Sequence, residues 1–410
     1  MSERLAIDGG APVRTEPFPS RAAGFGDEEL AHLSEVLRSG HLFRVGGQKT
    51  KAVEEKFAAL LGMKHALAVT SGTAAIHTAV ASINPNPGDE IITTAMSDMG
   101  TVIGVLFQQA IPIFADVVKD GYHLDPKAVR KQITSRTRAI IVVHLWGMAA
   151  DMDEFLAIGR EHGIAIIEDC AQAYLTEYKG KLSGTMGEMG CFSLQQSKHI
   201  TCGDGGLVVT NRDDLAKRAR LFSDKGWDRL AEDRGHAFLG MNYRITELQS
   251  AVALAQLGKL AQFVSRRRAL SDRLSRQITG IAGLIAPLES AKSGNTCWYY
   301  PLLIQEEKLG ISRERFVAAL NAEGVSAGTW LGQALYSFPV FSQQLTFGTS
   351  HHPFDCPSAS RKVEYKPGMC PNAEKSLREL AILTVNEFYT EQDVDDMATA
   401  IRKVAAAARP

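Results

Sequence analysis

Arg138-Ala-Ile-Ile-Val-Val-His-Leu145, a helical pattern across Met152–His162, and Ile164-Ala-Ile-Ile-Glu168 followed by Asp169 form the stretch that decides the fold. Two near-continuous apolar, β-branched runs with an amphipathic segment between them read as strand, crossover helix and second parallel strand. Strands buried on both faces lose the polar alternation of a one-sided sheet. The rhythm extends both ways. Upstream, Ala66-Leu-Ala-Val-Thr70 leads into a helix after Gly72, Glu90-Ile-Ile-Thr-Thr94 into one ending near Gln109, and Pro112-Ile-Phe-Ala-Asp116 into one from Asp125. Downstream, Gly206-Leu-Val-Val-Thr210 reads as a further strand, and Thr246 to about Gln277 as a long helix carrying Leu248, Val252, Ala255 and Leu260. This alternation predicts an α/β fold built on a large, mostly parallel sheet with helices on both faces.

The pattern changes across Gly280–Asn295, rich in Gly, Ala and Ser, which reads as the passage into a smaller C-terminal α+β domain. Trp298–Ile304 and Ser312–Glu323 are its expected first strand and helix, and Thr390–Ala407 its last helix. Gly332–Met369, with its aromatics, His and Pro, is expected to be irregular. The organisation that follows is an N-terminal arm over residues 1–30, a large domain over 31–280 and a small domain over 281–410.

At 410 residues, with 45 Lys+Arg against 46 Asp+Glu, the chain has room for a large core and a net charge of −1. No basic run offers a footprint for nucleic acid, and no Lys/Arg-rich amphipathic stretch suits a membrane surface. The first ten residues contain no apolar signal core, and Ala139–Val143 is far shorter than the ~20 residues of a membrane helix. A cytoplasmic location is expected. Cys170, Cys191, Cys202, Cys297, Cys356 and Cys370 form no C-x-x-C pair, so they read as reduced, packing thiols rather than metal ligands. His351-His352 lacks acidic or thiolate partners at ligand spacing and reads as a solvated loop.

Three features bear on chemistry. Ser71-Gly72-Thr73 follows a strand and opens a helix, where N–H groups and hydroxyls can hold a phosphate, although Ser and Thr are also ordinary caps. Asp169 ends a buried strand at the sheet's carboxyl edge, where such folds bind ligands, and a carboxylate there needs a cation or several donors. Lys198 lies in Cys191-Phe-Ser-Leu-Gln-Gln-Ser-Lys198-His199, ahead of the glycine-rich Cys202-Gly-Asp-Gly-Gly206, and a desolvated lysine there can act as a neutral amine. Each signal alone has a structural explanation. Together they supply what a pyridoxal phosphate site needs: an anion grip, a partner for the ring nitrogen and an amine for the aldehyde.

The chain resembles the DegT/DnrJ/EryC1/StrS family of sugar and aminocyclitol aminotransferases. The resemblance rests on Phe57–Leu60, His65-Ala-Leu-Ala-Val-Thr-Ser-Gly-Thr73, Pro87–Ile92, Val143-His-Leu-Trp-Gly147, Ala150-Asp-Met-Asp153, Glu168–Ala173, Phe192–Lys198, Gly240-Met-Asn-Tyr-Arg-Ile-Thr-Glu-Leu-Gln249 and Pro371-Asn-Ala-Glu374. It implies the type I, aspartate-aminotransferase-like fold and pyridoxal 5'-phosphate as cofactor. Carried over, it makes Lys198 the Schiff-base lysine and proton shuttle, and Asp169 the partner of the pyridine nitrogen. It places Gln172 near the ring hydroxyl and Gly72, Thr73 and Ser193 at the phosphate. Asn242 would reach the phosphate of a neighbouring subunit, so a homodimer with shared sites is implied.

Departures fall on the expected substrate side. Asp98 aligns with the position of an aromatic that stacks on the cofactor. Two readings of it stand: contact with a substrate amine, or a cap on a helix beginning near Met99, with Met96 or Met99 covering the ring. Met148 replaces a common Gln, and Leu383-Thr-Val-Asn386 replaces Leu-Pro-Leu-His. Ile7–Val13 and Gly40–Gly47 resemble the aminocyclitol branch, with Phe43-Arg44 either near the substrate mouth or in a surface turn. The expected activity is transfer of an amino group from a glutamine- or glutamate-type donor to a keto-sugar or keto-cyclitol. A dehydratase, decarboxylase or oxidase using the same cofactor is the alternative, and a non-catalytic regulatory relative a lesser one.

Overall fold

Strands His65–Val69, Gly206–Thr210, Met189–Ser193, Ala165–Asp169, Thr137–Val143, Glu90–Thr94 and Ile111–Ala115 lie side by side, in that order, in a seven-stranded sheet. All run one way except Gly206–Thr210, which is antiparallel to both neighbours. The computed structural model describes residues 4–229, 231, 235–287, 293–330 and 332–408; residues 288–292 of the expected Gly280–Asn295 linker lie outside the described residues.

Why the strands lack polar alternation is visible in what each face meets. Ile140, Val142 and Ile166 join Phe155 and Trp146 on one side, while Ile141, Ile167 and Ile91 join Val80 and Val105 on the other. Each such aliphatic side chain contributes roughly 1.5–3 kcal/mol by leaving water, so a polar residue on either face would be costly. The crossover helix Met152–His162 has the predicted bounds and ends at Gly163, whose φ of +66° closes the turn back into the sheet.

The long helix Glu247–Ile278 starts at Thr246, whose hydroxyl and Gln249 side chain cap each other's backbone. Its 32 residues span about 48 Å at 1.5 Å each. Leu254, Leu260 and Val264 pack with Phe57 and Phe192 beneath the large sheet, and Leu270, Leu274 and Ile278 pack with a second core. That core covers a four-stranded antiparallel sheet ordered Leu284–Ile285, Tyr300–Ile304, Leu380–Leu383 and Ala327–Gly328. Helices Arg313–Ala322 and Glu391–Ala407 contribute Phe316, Leu320, Val394 and Ile401 to it.

Gly332–Met369 forms only a short turn, Leu335–Ser337, and one four-residue helix, Pro339–Ser342. It is nevertheless well packed, because Tyr336, Phe341 and Tyr365 surround Phe114 on the large sheet and the Leu335 N–H donates to the Ala95 carbonyl. No helix among the described residues is long and apolar enough to cross a membrane.

Candidate active site

The parallel register brings the carboxyl ends of four strands to one edge, and the segments leaving them line a cleft of about 360 Å³. Ser71, Gly72 and Thr73 follow the first strand of the chain, Ser97, Asp98 and Thr101 the second. Asp169 and Gln172 follow the fifth in sequence, and Ser193 and Lys198 leave Met189–Ser193. Seven of the eight sequence-predicted site residues therefore line one cleft. The eighth, Asn242, is exposed, pairs its backbone with Asp224 and does not line this cleft.

At one end, Ser71 caps the helix Gly72–Ile83, its hydroxyl accepting from the Ala74 N–H at 3.0 Å. The Gly72 and Thr73 N–H groups are left without an intrahelical acceptor at the positive end of the helix. Gly72 is required by space: a Cβ there would lie 2.6 Å from the Ser193 Cβ and 2.9 Å from its hydroxyl oxygen. Glycine thus lets the start of the helix pack directly against Ser193, bringing backbone N–H groups and hydroxyls together at one end of the cleft.

Asp169 is 3% exposed. One carboxylate oxygen accepts from the Thr101 hydroxyl at 2.8 Å and the other from the Ala171 N–H at 3.1 Å, and Thr101 also bonds the Ser97 hydroxyl at 2.7 Å. Burial pushes its pKa up, against these two hydrogen bonds and the attraction of Lys198; Asp98 adds to the rise. Lys198 moves the opposite way for the same reason: burial lowers its amine to about 8, with Asp169 and Asp98 opposing the shift. Desolvation outweighs attraction in both, so burial disfavours the charged form of each and leaves the pair receptive to a cationic or electrophilic partner.

The Lys198 amine lies 3.7 Å from the centroid of the Trp298 ring, whose Nε1 donates to the Ser197 carbonyl at 2.7 Å. Trp298, Thr101, Ser97 and Asp204 are cleft residues that sequence reading missed. Trp298 reads as the start of a strand, but regular pairing begins at Tyr300, which frees the indole for the cleft. Thr101 had a faint signal: a hydroxyl in the first turn after a strand edge.

Gln172 lines the cleft while its side-chain oxygen accepts from the Trp146 N–H at 2.9 Å. That bond steadies a left-handed turn, Trp146 at φ +61° and Gly147 at +91°, a conformation rarely adopted by a bulky residue. Asp98 caps a helix, as one of its two sequence readings has it. Its Oδ1 accepts from the Gly100 N–H at 2.8 Å, opening the helix Gly100–Phe107, yet the exposed carboxylate also lines the cleft, and its Oδ2 has no partner among the described residues. Met96 is fully buried in the core and lines no part of the cleft. Arg44 pairs with Glu54 at 2.7 Å instead of facing a substrate, while Phe43 remains exposed.

Behind the cleft, ligand atoms of His144, Glu168 and Cys170 cluster, all buried. Glu168 is already committed to the N–H groups of Gly184, Met186 and Gly187 and to His144 Nε2 at 3.0 Å. With the thiol of Cys170 pushed far up by burial, this group serves as an anchor for the strand that presents Asp169.

Comparison with known proteins agrees with this architecture. Residues 25–402 match the family model described as the DegT/DnrJ/EryC1/StrS aminotransferase family. The chain is 35% identical, over 98% of its length and 97% of the other protein, to a Micromonospora echinospora protein named as an L-glutamine:3-amino-2,3-dideoxy-scyllo-inosose aminotransferase. It is 31% identical to the Bacillus subtilis spore coat polysaccharide biosynthesis protein SpsC, over 93% of this chain and 96% of that one. Among solved structures, S. venezuelae DesV in complex with a ketimine intermediate superposes with a TM-score of 0.84 at 28% identity, covering 95% of this chain and 99% of that one. The chain has the type I fold of these enzymes and belongs to the DegT/DnrJ/EryC1/StrS aminotransferase family.

Proposed function

We propose that this aminotransferase uses pyridoxal 5'-phosphate to move an amino group from a glutamine- or glutamate-type donor to the ketone of a keto-cyclitol or keto-sugar. The observation that carries the reading is the Lys198 amine, desolvated on Trp298 and within electrostatic reach of buried Asp169, in the cleft that also holds the Gly72–Ser193 cradle. The donor set fits the cofactor. Gly72, Thr73 and Ser193 offer N–H and hydroxyl groups to a phosphate, and Asp169 offers a carboxylate with only two protein donors to a protonated ring nitrogen. When bound, the cofactor supplies an aldehyde and an electron-withdrawing ring that makes loss of a proton from the amine-bearing carbon feasible.

The chain's own residues do the rest. A large fraction of Lys198 is the neutral amine near pH 8, so its Nζ would hold the cofactor through its aldehyde and, when free, could take up a proton and give it back within the cleft. Asp169, fixed by Thr101 and Ala171, would pair with the ring nitrogen and keep it protonated. Gln172, whose side-chain oxygen is held by the Trp146 N–H, would offer its amide nitrogen to the ring hydroxyl.

An amine-bearing ketone is the favoured acceptor, because the outer oxygen of Asp98 puts an anion in the cleft that, besides its attraction for Lys198, can meet a cationic group on a substrate. The relative named for a 3-amino-2,3-dideoxy-scyllo-inosose substrate supports this choice. A homodimer completes the site, since Asn242 is exposed beyond its own cleft and Phe25, Leu30, Leu37, Leu42 and Phe43 present apolar surface that a second copy would cover. The six cysteines are unpaired, which supports a reducing, cytoplasmic setting.

The test is a donor half-reaction followed by absorbance. Glutamine should convert the bound cofactor stoichiometrically to its amine form and stop, and an amino-ketocyclitol should restore it more efficiently than its deoxy, amine-free analogue. Asp98→Asn should erase that preference. Release of ammonia or carbon dioxide without the amine form would establish dehydration, decarboxylation or oxidation instead.

A further inference from the structure

The carbonyls of Gln196, Ser197 and His199, which flank Lys198, are all held by side chains from distant parts of the chain. Arg21, in the segment before the first long helix, donates from Nη1 to the Gln196 carbonyl at 3.2 Å and from Nη2 to the His199 carbonyl at 3.0 Å. Trp298 holds the Ser197 carbonyl between them. The two clamps share one anchor. Arg21 Nε donates to Glu387 Oε1 at 3.1 Å, Glu387 Oε2 accepts from Arg267 Nε at 2.6 Å, and Arg267 Nη1 donates to the carbonyls of Cys297 and Trp298 at 3.1 and 2.9 Å. Thus Glu387, beside the second sheet, fixes the backbone on both sides of the lysine and the ring on which its amine rests.

We infer that Arg21 is a positioning residue for Lys198, and that the Arg21–Glu387–Arg267 chain ties the direction of the lysine amine to the placement of the second sheet. The inference rests on the reading of Lys198 as the cofactor lysine. The loop after Ser193 has left the sheet ladder and keeps few backbone bonds of its own, among them the Lys198 N–H to the Gln195 carbonyl at 2.9 Å. A planar guanidinium with its donors spread in a fork spans two carbonyls and a carboxylate at once; an ammonium cannot reach all three. The arrangement also has a charge consequence. Two arginines share one carboxylate, and with Lys198 their positive charge adds to burial in holding adjacent His199 neutral, with Nε2 free to donate to the Thr296 carbonyl at 3.0 Å. His199 therefore braces the same loop from below without competing for a proton.

Arg21 is the member to perturb. Its side chain is 22% exposed, and removing it leaves Glu387 paired with Arg267, whereas removing either of those strands a buried charge. Arg21→Met is expected to speed amide hydrogen exchange at residues 196–199 and slow capture of pyridoxal phosphate by the apoenzyme. Turnover should fall by up to about 100-fold, the scale of a 1 Å misplacement, with the donor KM changed far less than kcat. Millimolar guanidinium should restore a substantial part of the capture rate. Arg21→Lys, which folds with a charge in place, should remain impaired. As a control, Arg273→Met removes a surface arginine paired with Asp395 and should lower the melting temperature without changing capture. Unchanged exchange and capture in Arg21→Met, or full function in Arg21→Lys, would overturn the inference. Borohydride reduction separates it from the parent reading: a pyridoxyl label on another lysine rejects the role of Lys198, while a label on Lys198 with unaffected Arg21 variants rejects only the clamp.

Discussion

Replacing Asp169 with asparagine separates what the carboxylate does for the fold from what it does for the reaction. In the fold, an amide can inherit both hydrogen bonds. Its oxygen keeps the Ala171 N–H, and its nitrogen can donate to the Thr101 hydroxyl, which then turns its own hydrogen toward Ser97 at 2.7 Å. Every polar atom stays paired, and a buried charge is removed, so stability should change by no more than about 1 kcal/mol, a shift of a few degrees in melting temperature. In the reaction, a charge-assisted hydrogen bond to the ring nitrogen becomes a neutral one, and the amide cannot hold the proton there. Hydrogen bonds to charged groups contribute about 1.5–3 kcal/mol. At 1.36 kcal/mol per decade, turnover should fall roughly 10- to 150-fold. Steady-state kinetics and thermal melts on the same preparations read both quantities. Near-normal turnover would refute the pairing with the ring, and a large drop in melting temperature with unchanged activity per folded molecule would make Asp169 purely structural.

Three further outcomes are expected. The folded Lys198 amine titrates near 8 against an ordinary 10.5, so between these values the unfolded chain still holds a proton that the folded chain has released; relative to Lys198→Met, wild-type stability should rise with pH across this window. Cofactor capture by the apoenzyme, which needs the neutral amine, should accelerate up to about pH 8 and then level off, whereas a rate still climbing tenfold per unit above pH 9 would describe a solvated lysine. Mixing inactive Lys198→Ala with inactive Asn242→Ala subunits should regain activity through hybrid sites, and none returning while subunits demonstrably exchange would count against a shared site.

What the sequence revealed and what it hid divide along a physical line. Strands buried on both faces leave an unbroken apolar record, so Thr137–Val143, Ala165–Asp169 and the helix between them were legible to within two residues. The parallel register then forces the strand-end residues together, which is why Gly72, Asp169, Ser193 and Lys198 fall in one cleft although they span more than a hundred positions. The groups that tune them had no such record. Thr101 is one hydroxyl among many, Trp298 resembles any aromatic at a strand start, and Arg21, Glu387 and Arg267 are far apart in a chain that gives no sign of their meeting. Their roles come from where the long helix Glu247–Ile278 and the second sheet place them, which depends on packing and not on local pattern. The lysine itself is local information; its pKa, its platform and its direction are tertiary. Asp98 is the one departure from the family pattern named above that lines the cleft, and its surroundings there, Thr101, Lys198 and Trp298, are likewise set by packing and not by local pattern.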